Sequence, residues 1–291
     1  MKLSYVSPKD AAQAIGASES SLKRWVDEGL LTVERTAGGH RRIPVSEVVR
    51  FARAQGLNLR DPVTLGLPMA RPERLGDLDE QLFTALTTGD DVSVRDCLVA
   101  AFLGGTPIAT LADGPVRQAF SKIGELWQHG EEGVAIEHHA TMLMAQALEA
   151  LRGLITKLPS GAPVALGGAP GGDPYLLPSA LVAAVLGECG FKAVDLGPNT
   201  PSTAIEVTAP RYRPLLVWRA VSGELDLALA VRDLRRLAER IAPTPLVVGG
   251  RRLGDLRANG LGNGLRNLVT VNTMSELAAY ARGLLDRGGR S

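Results

Sequence analysis

The chain has 291 residues, 45% hydrophobic and 22% charged, with a formal net charge of +1, a length that calls for more than one domain and a composition that excludes wholesale disorder. It holds no run of 18 or more apolar residues and opens without an apolar signal core, so membrane insertion and secretion are not expected and a cytoplasmic location is. Only Cys97 and Cys189 occur, in apolar sequence without CxxC spacing, which argues for two buried thiols and against a structural disulfide, a thiolate metal site or redox chemistry.

The small net charge conceals an asymmetry, since residues 1–60 carry ten Lys or Arg against six Asp or Glu. An anionic partner is therefore expected to dock there. Ser7-Pro8-Lys9-Asp10 combines a cap residue, a proline suited to the first helical position and an acid in the first turn, and predicts a short helix that Gly16 ends. Ser18 caps a second helix reaching about Glu28, with Leu22, Trp25 and Val26 turned inward and Glu19, Ser20, Lys23 and Arg24 left outside, a mixture suited to a major groove. Trp25 is expected to pack the small core. In Arg35-Thr36-Ala37-Gly38-Gly39-His40-Arg41-Arg42-Ile43 a glycine pair makes a tight turn between basic side chains, the pattern of a hairpin wing that contacts phosphates.

Arg24-Trp25, Glu28-Gly29-Leu30 and the run Arg35 to Arg42 together resemble the DNA-binding domain of the MerR family, and Pro44 with Ser46-Glu47 opens a third helix closing near Gly56. Residues 1–58 are therefore expected to form a MerR-like winged helix-turn-helix on double-stranded promoter DNA. Ser20, Lys23 and Arg24 would supply the contacts from the helix, and Arg35, Thr36, His40, Arg41 and Arg42 those from the wing.

Residues 59–76 contain Pro62, Pro68 and Pro72 with scattered glycine, which predicts an extended tether. From 77 to 158 apolar residues recur at three and four spacing, through Leu78, Leu82 and Leu86 and then across 94–103, 108–120 and 135–155, predicting a four-helix bundle. Within it, His138 and His139 are adjacent and so point to different faces, which makes them poor joint metal ligands.

Residues 163–291 alternate short apolar runs (164–166, 193–196, 215–218, 246–248, 268–271) with amphipathic segments such as 178–188 and 227–241. That alternation predicts an α/β flavodoxin-like, Rossmann-like parallel sheet covered on both faces. Ligands of such sheets sit beyond the strands' carboxyl ends, so the loops at 167–175, 197–201, 221–224 and 249–252 matter most. Gly167-Gly168 through Gly172 lacks the spacing of a dinucleotide fingerprint, and neither a nucleophile elbow nor a general-base pair is visible, so no enzyme is expected.

The order of head, bundle and sheet resembles the cobalamin-binding, light-sensing repressors of carotenoid synthesis over essentially the whole chain. In that family a Trp followed after nine residues by Glu-His covers the upper face of the corrinoid, and Trp127 with Glu137-His138 keeps the spacing. The resemblance also implies that Leu196 to Pro201 and the pair Gly249-Gly250 approach the nucleotide tail. The family's lower-ligand loop, acid-x-His-x-x-Gly, falls on Asp173 to Pro178; the acid survives, but Tyr175 stands for His and Pro178 for Gly. A phenol, with a pKa of about 10, ligates metal poorly at neutral pH, and the run Leu215 to Ala220 brings bulk near the tail pocket that the resemblance implies. Ordinary cobalamin binding is therefore expected to be lost, and Gln128 where the family has a photochemical His argues against its light-driven step. The readings left open are another tetrapyrrole, such as a haem near Tyr175 or His138, ligand-free assembly as a homo-oligomer, mixed oligomers with a homologous regulator, and a corrinoid protein of a methyltransferase system.

Overall fold

The computed structural model of the protein describes residues 5–36, 38–69, 75–126, 131–155, 158–262 and 264–288. The chain divides into two units, residues 1–157 and 158–291.

The first unit begins with β1 (Tyr5–Val6), α1 (Pro8–Ile15), α2 (Glu19–Asp27), β2 (Glu34–Arg35), β3 (Arg41–Pro44) and α3 (Val45–Ala54). The cap expected at Ser7 is a reciprocal box: its hydroxyl accepts the Asp10 amide at 3.1 Å while the Asp10 carboxylate accepts the Ser7 amide at 3.3 Å. Gly16 closes α1 in the left-handed region at φ 77°, a conformation that favours glycine. Ser18 caps α2 through the Ser21 amide at 3.1 Å. Trp25 packs against Phe51, ring centroids 4.7 Å apart, above a core that includes Ala12, Leu22, Ile43 and Val48. The three strands pair antiparallel in the order β1-β3-β2, and β1 is an addition to the predicted elements.

The tether expected at 59–76 is not extended over its first part. The Arg60 and Asp61 amides donate to the Ala14 carbonyl at 2.8 and 3.1 Å, Gln13 donates to the Asp61 carboxylate at 2.8 Å, and a 3-10 turn, Pro62–Leu65, packs on α1. Burial of Leu59 and Leu65 is the physical reason. Pro62, one of the prolines that suggest a spacer, starts this turn. The Arg53 guanidinium, at the end of α3, lies 3.9 Å over the ring of Phe102 and donates to its carbonyl.

The bundle consists of α4 (Leu75–Thr88), α5 (Asp91–Leu103), a third helix in three pieces and α8 (Glu131–Arg152). The third helix joins α6 (Ile108–Leu111) to α7 (Arg117–Leu126) through a π-turn, Ala112–Val116, that contains Pro115. Proline cannot donate to the ladder, and a widened turn accommodates it. Leu78, Leu82 and Leu86 of α4 and Ala140, Met144, Ala147 and Leu151 of α8 are buried at helical spacing. Lys122 of α7 clasps Asp79 and Glu80 of α4, at 3.0 and 2.5 Å.

The second unit alternates β4 (Val164–Gly168), α9 (Leu177–Glu188), β5 (Lys192–Asp195), α10 (Ser202–Tyr212), β6 (Leu216–Ala220), α11 (Leu227–Ile241), β7 (Leu246–Gly249), α12 (Leu253–Ala258), β8 (Leu268–Thr270) and α13 (Met274–Gly288). All five strands are parallel, in the order β5-β4-β6-β7-β8. This is the flavodoxin-like arrangement predicted, with its topological switch point between β4 and β6. Leu166, Val217 and Val248 of the sheet pack with Ile205 of α10 and Val231 and Leu234 of α11; α13 packs on α9.

Candidate nucleic-acid interface and switch-point site

Burial of Leu22 on one side of α2 leaves Glu19, Ser20, Lys23 and Arg24 exposed on the other. A groove of ≈300 Å³ runs between this helix and β3, lined by Glu19, Ser20, Lys23, Val26, Val33 and Arg41 among others. Three of the residues predicted from sequence, Ser20, Lys23 and Arg41, thus meet at one place. Arg24 reaches Glu28 at 4.0 Å in an exposed pair, which holds it only weakly.

The wing treats its two central arginines differently. Ile43 is fully buried, and alternation along β3 puts Arg41 on its side and Arg42 on the other. The Arg42 guanidinium lies 4.4 Å from the centroid of the Tyr5 ring, whose hydroxyl donates to Glu34 at 2.9 Å. That hydrogen bond holds the Tyr5 phenol above its ordinary pKa. Thr36 closes the turn: its amide donates to the His40 carbonyl at 2.9 Å, and its hydroxyl accepts the His40 amide at 3.1 Å. Arg35 and His40 are exposed, and Ala37 lies outside the described residues.

Sequence reasoning misses Glu47. Its buried carboxylate accepts the Thr32 amide at 2.9 Å and two bonds from Arg50, at 2.8 and 2.7 Å, while Arg50 donates to the Leu30 carbonyl at 2.8 Å. The segment joining α2 to the wing is therefore fastened to α3. Burial pushes the Glu47 carboxyl up, but the bonds from Arg50 and Thr32 and the Arg50 charge together outweigh it and leave the group below its ordinary value. The i,i+3 pair was visible in sequence; nothing local marked Thr32 or Leu30 as its targets.

At the carboxyl end of the second unit's sheet, Asp173 is fully buried and acts as a knot. One carboxylate oxygen accepts the Ser222 and Gly223 amides at 2.6 and 2.8 Å, and the other accepts the Tyr175 amide at 3.1 Å. Its carbonyl accepts the Asn199 amide at 2.8 Å, so loops following β4, β5 and β6 are tied to one residue. Tyr175 is half-buried beneath Arg251, whose guanidinium is 5.1 Å from the ring centroid and donates to the Ser222 carbonyl at 3.0 Å. Gly250 has φ 116° and passes so close to β6 that a Cβ there would lie 2.3 Å from the Val221 carbonyl; one on Gly249 would lie 3.0 Å from that of Val271. Strand packing already requires the pair.

Trp218 and Arg219 leave β6 on opposite faces. The Trp218 ring, 1% exposed, covers Gly167, where a Cβ would lie 2.3 Å from its Cδ2. Its Nε1 donates to the Ser179 hydroxyl at 3.1 Å, which donates to Asp195 at 2.7 Å. Arg219 is buried and donates to the Thr200 carbonyl at 2.6 Å; burial lowers its pKa to about 10 against the pull of Asp233 and Asp173.

Of the residues that the resemblance assigns to the upper face, Trp127 lies outside the described residues. Glu137 accepts a bond from Thr141 at 3.3 Å, and the side chain of His138 is 75% exposed, 3.6 Å from Glu137. Both belong to the first unit; Asp173, Tyr175, Gly249 and Gly250 belong to the second. Among the described residues no three His, Cys, Asp or Glu are grouped to hold a metal ion, and no helix is long and apolar enough to cross a membrane.

Residues 5–56 match the family of the helix-turn-helix domain, and residues 78–152, the bundle, match that of the B12 binding domain. Comparison with curated protein sequences returns no match. Among solved structures, the monomethylamine corrinoid protein of Methanosarcina barkeri is 17% identical, with 72% of this chain and 100% of that one covered at a TM-score of 0.54. The methanol:cobalamin methyltransferase complex of the same organism is 17% identical over 81% of this chain and 92% of that one, at a TM-score of 0.38. A cobalamin-binding protein of Desulfitobacterium hafniense is 16% identical over 72% and 98%, at 0.36. The chain thus carries a helix-turn-helix head and a bundle similar to a B12 binding domain, and its bundle and sheet share the fold of a corrinoid protein.

Proposed function

We propose that this protein is a sequence-specific, MerR-like DNA-binding transcription regulator and not an enzyme. The observation that carries the reading is the convergence of Ser20, Lys23 and Arg41 on one groove beside the exposed face of α2. Lys23, Arg24 and Ser20 read base edges, while Arg35, His40, Arg41 and Arg42 position the wing on phosphates. Thr36 acts by shaping the wing turn. The bundle is unsuited to this task, since residues 77–158 carry five Lys or Arg against twelve Asp or Glu.

A bundle of B12-domain type and a corrinoid-protein fold imply a corrinoid, and the residues of the second unit do not fit one held in the ordinary way. Tyr175 offers a phenol where an imidazole is needed. Asp173 already engages both carboxylate oxygens in three bonds from backbone amides, which leaves it little capacity to orient a ligand at residue 175. The second unit serves assembly in this reading, as a homo-oligomer or with a homologous regulator.

Gel retardation of promoter fragments at low ionic strength tests the first part: wild type retards a specific fragment, and Lys23→Ala with Arg41→Ala does not. Absence of retardation by wild type on any fragment ends the DNA-binding reading. Absorption spectra after incubation with cobalamins and with haem test the second, and a stoichiometric bound corrinoid or haem overturns it.

A further inference from the structure

We propose that Trp218 is a built-in occupant of the switch-point crevice, filling with its own ring the room that a planar heteroaromatic ligand would take. The inference deepens the reading of a sensor-like unit without a corrinoid and rests on it. Open α/β sheets receive ligands beyond the carboxyl ends of their strands, where the strand order reverses. Here that place lies between β4 and β6, and in the pairing register Gly167 stands directly opposite Trp218. Gly167 presents bare backbone, and the indole lies on it closely enough that no other residue type could stand there.

The ring is held as a ligand would be. It is buried, and its single polar atom is satisfied by Ser179 in the first turn of α9, itself anchored on Asp195 at the end of β5. Asp195 also accepts the Gly197 amide at 3.0 Å, so the indole is connected by hydrogen bonds to the loop after β5. Asp173 in turn ties the loops after β4, β5 and β6. One consequence follows: truncating the ring leaves a cavity for a flat heterocycle bearing one N–H donor, of indole or benzimidazole size. Dry apolar cavities made by truncation accept aromatic molecules of matching shape.

The test is Trp218→Ala in the full-length protein, followed by thermal unfolding with and without millimolar indole, benzimidazole or N-methylindole. The unfolding transition of the second unit is expected to fall by about 10–20 °C. Indole and benzimidazole restore several degrees of it saturably, N-methylindole less, and none of the three shifts wild type. An unchanged midpoint in the variant, no shift with either N–H heterocycle, or an equal shift in wild type overturns the inference. If the variant is unfolded throughout, it is refolded from denaturant with and without indole; recovery only with indole supports the inference, and no recovery overturns it. A corrinoid bound by wild type alongside indole rescue of the variant would sink the corrinoid-free reading alone, whereas no corrinoid and no rescue would sink this inference alone.

Discussion

Replacement of Arg41 by alanine separates the two roles that the wing arginines take in the structure. Arg41 shares a groove with Ser20 and Lys23, whereas Arg42 is stacked on Tyr5. For duplex DNA, log K falls with log salt at a slope of about 0.9 per neutralised phosphate, so one phosphate contact costs about 3.5-fold in affinity between ~50 and ~200 mM salt. Arg41→Ala is expected to flatten the slope by about 1 and to weaken specific and scrambled duplexes alike, because phosphate contacts carry no sequence information. Arg42→Ala should flatten it by less than half as much, its main loss being a cation–π contact worth about 0.5–1 kcal/mol between the wing and β1. Lys23→Ala should instead lower the ratio of specific to scrambled affinity. The assay is fluorescence anisotropy of labelled duplexes across several salt concentrations. Equal slopes for Arg41→Ala and wild type, or equal flattening by both arginine variants, would refute the assignment of Arg41 to the backbone.

Two further outcomes follow from buried carboxylates. Because the folded-state pKa of Glu47 is depressed, its stabilisation is fully present above the ordinary carboxylate range and is lost as pH falls through the folded value. The gap in Tm between wild type and Glu47→Gln, read on the helix-turn-helix transition, should therefore be widest near neutral pH and close below about pH 4; a gap independent of pH refutes it. Asp173→Asn keeps the shape but can satisfy only part of the three amides, at a cost of roughly 1–3 kcal/mol and about 4–12 °C in the second unit's Tm. An unchanged Tm would show that the knot does not hold the loops.

Elements whose residues carry their own local signals were legible in the sequence. Ser7-Pro8 and Gly16 bound α1, the runs near 164, 193, 216, 246 and 268 gave five strands, and the amphipathic period gave α11. What was not legible depended on partners distant in the chain. The prolines of 59–76 read as a spacer because composition is blind to Gln13 and Ala14, which bind Arg60 and Asp61 at its start. The strand β1 has two residues, too few for a period, and exists through its pairing with Pro44 and Ile43. In the candidate site, the basic character of the wing was evident, but Arg41 and Arg42 looked alike until the alternation of β3 and the position of Tyr5 set them apart. Glu47 was invisible as a positioning residue because Thr32 lies fifteen positions away.

Asp173 shows why a surviving motif residue is weak evidence for a surviving ligand. Read beside an absent histidine, it looks like the remnant of a metal-binding pair. In the fold it accepts the Ser222, Gly223 and Tyr175 amides, donors that without it would be buried and unpaired. That requirement comes from backbone amides and is independent of which side chain stands at residue 175. The same logic runs in reverse at Trp218. A crevice over Gly167 left without a ligand would be a void whose lining loses its packing contacts, and the indole removes that void while finding its own hydrogen-bond partner. In the proposed reading the tyrosine at residue 175 and the indole over Gly167 are physically complementary, because a unit that takes no filling from solution has to supply it from the chain.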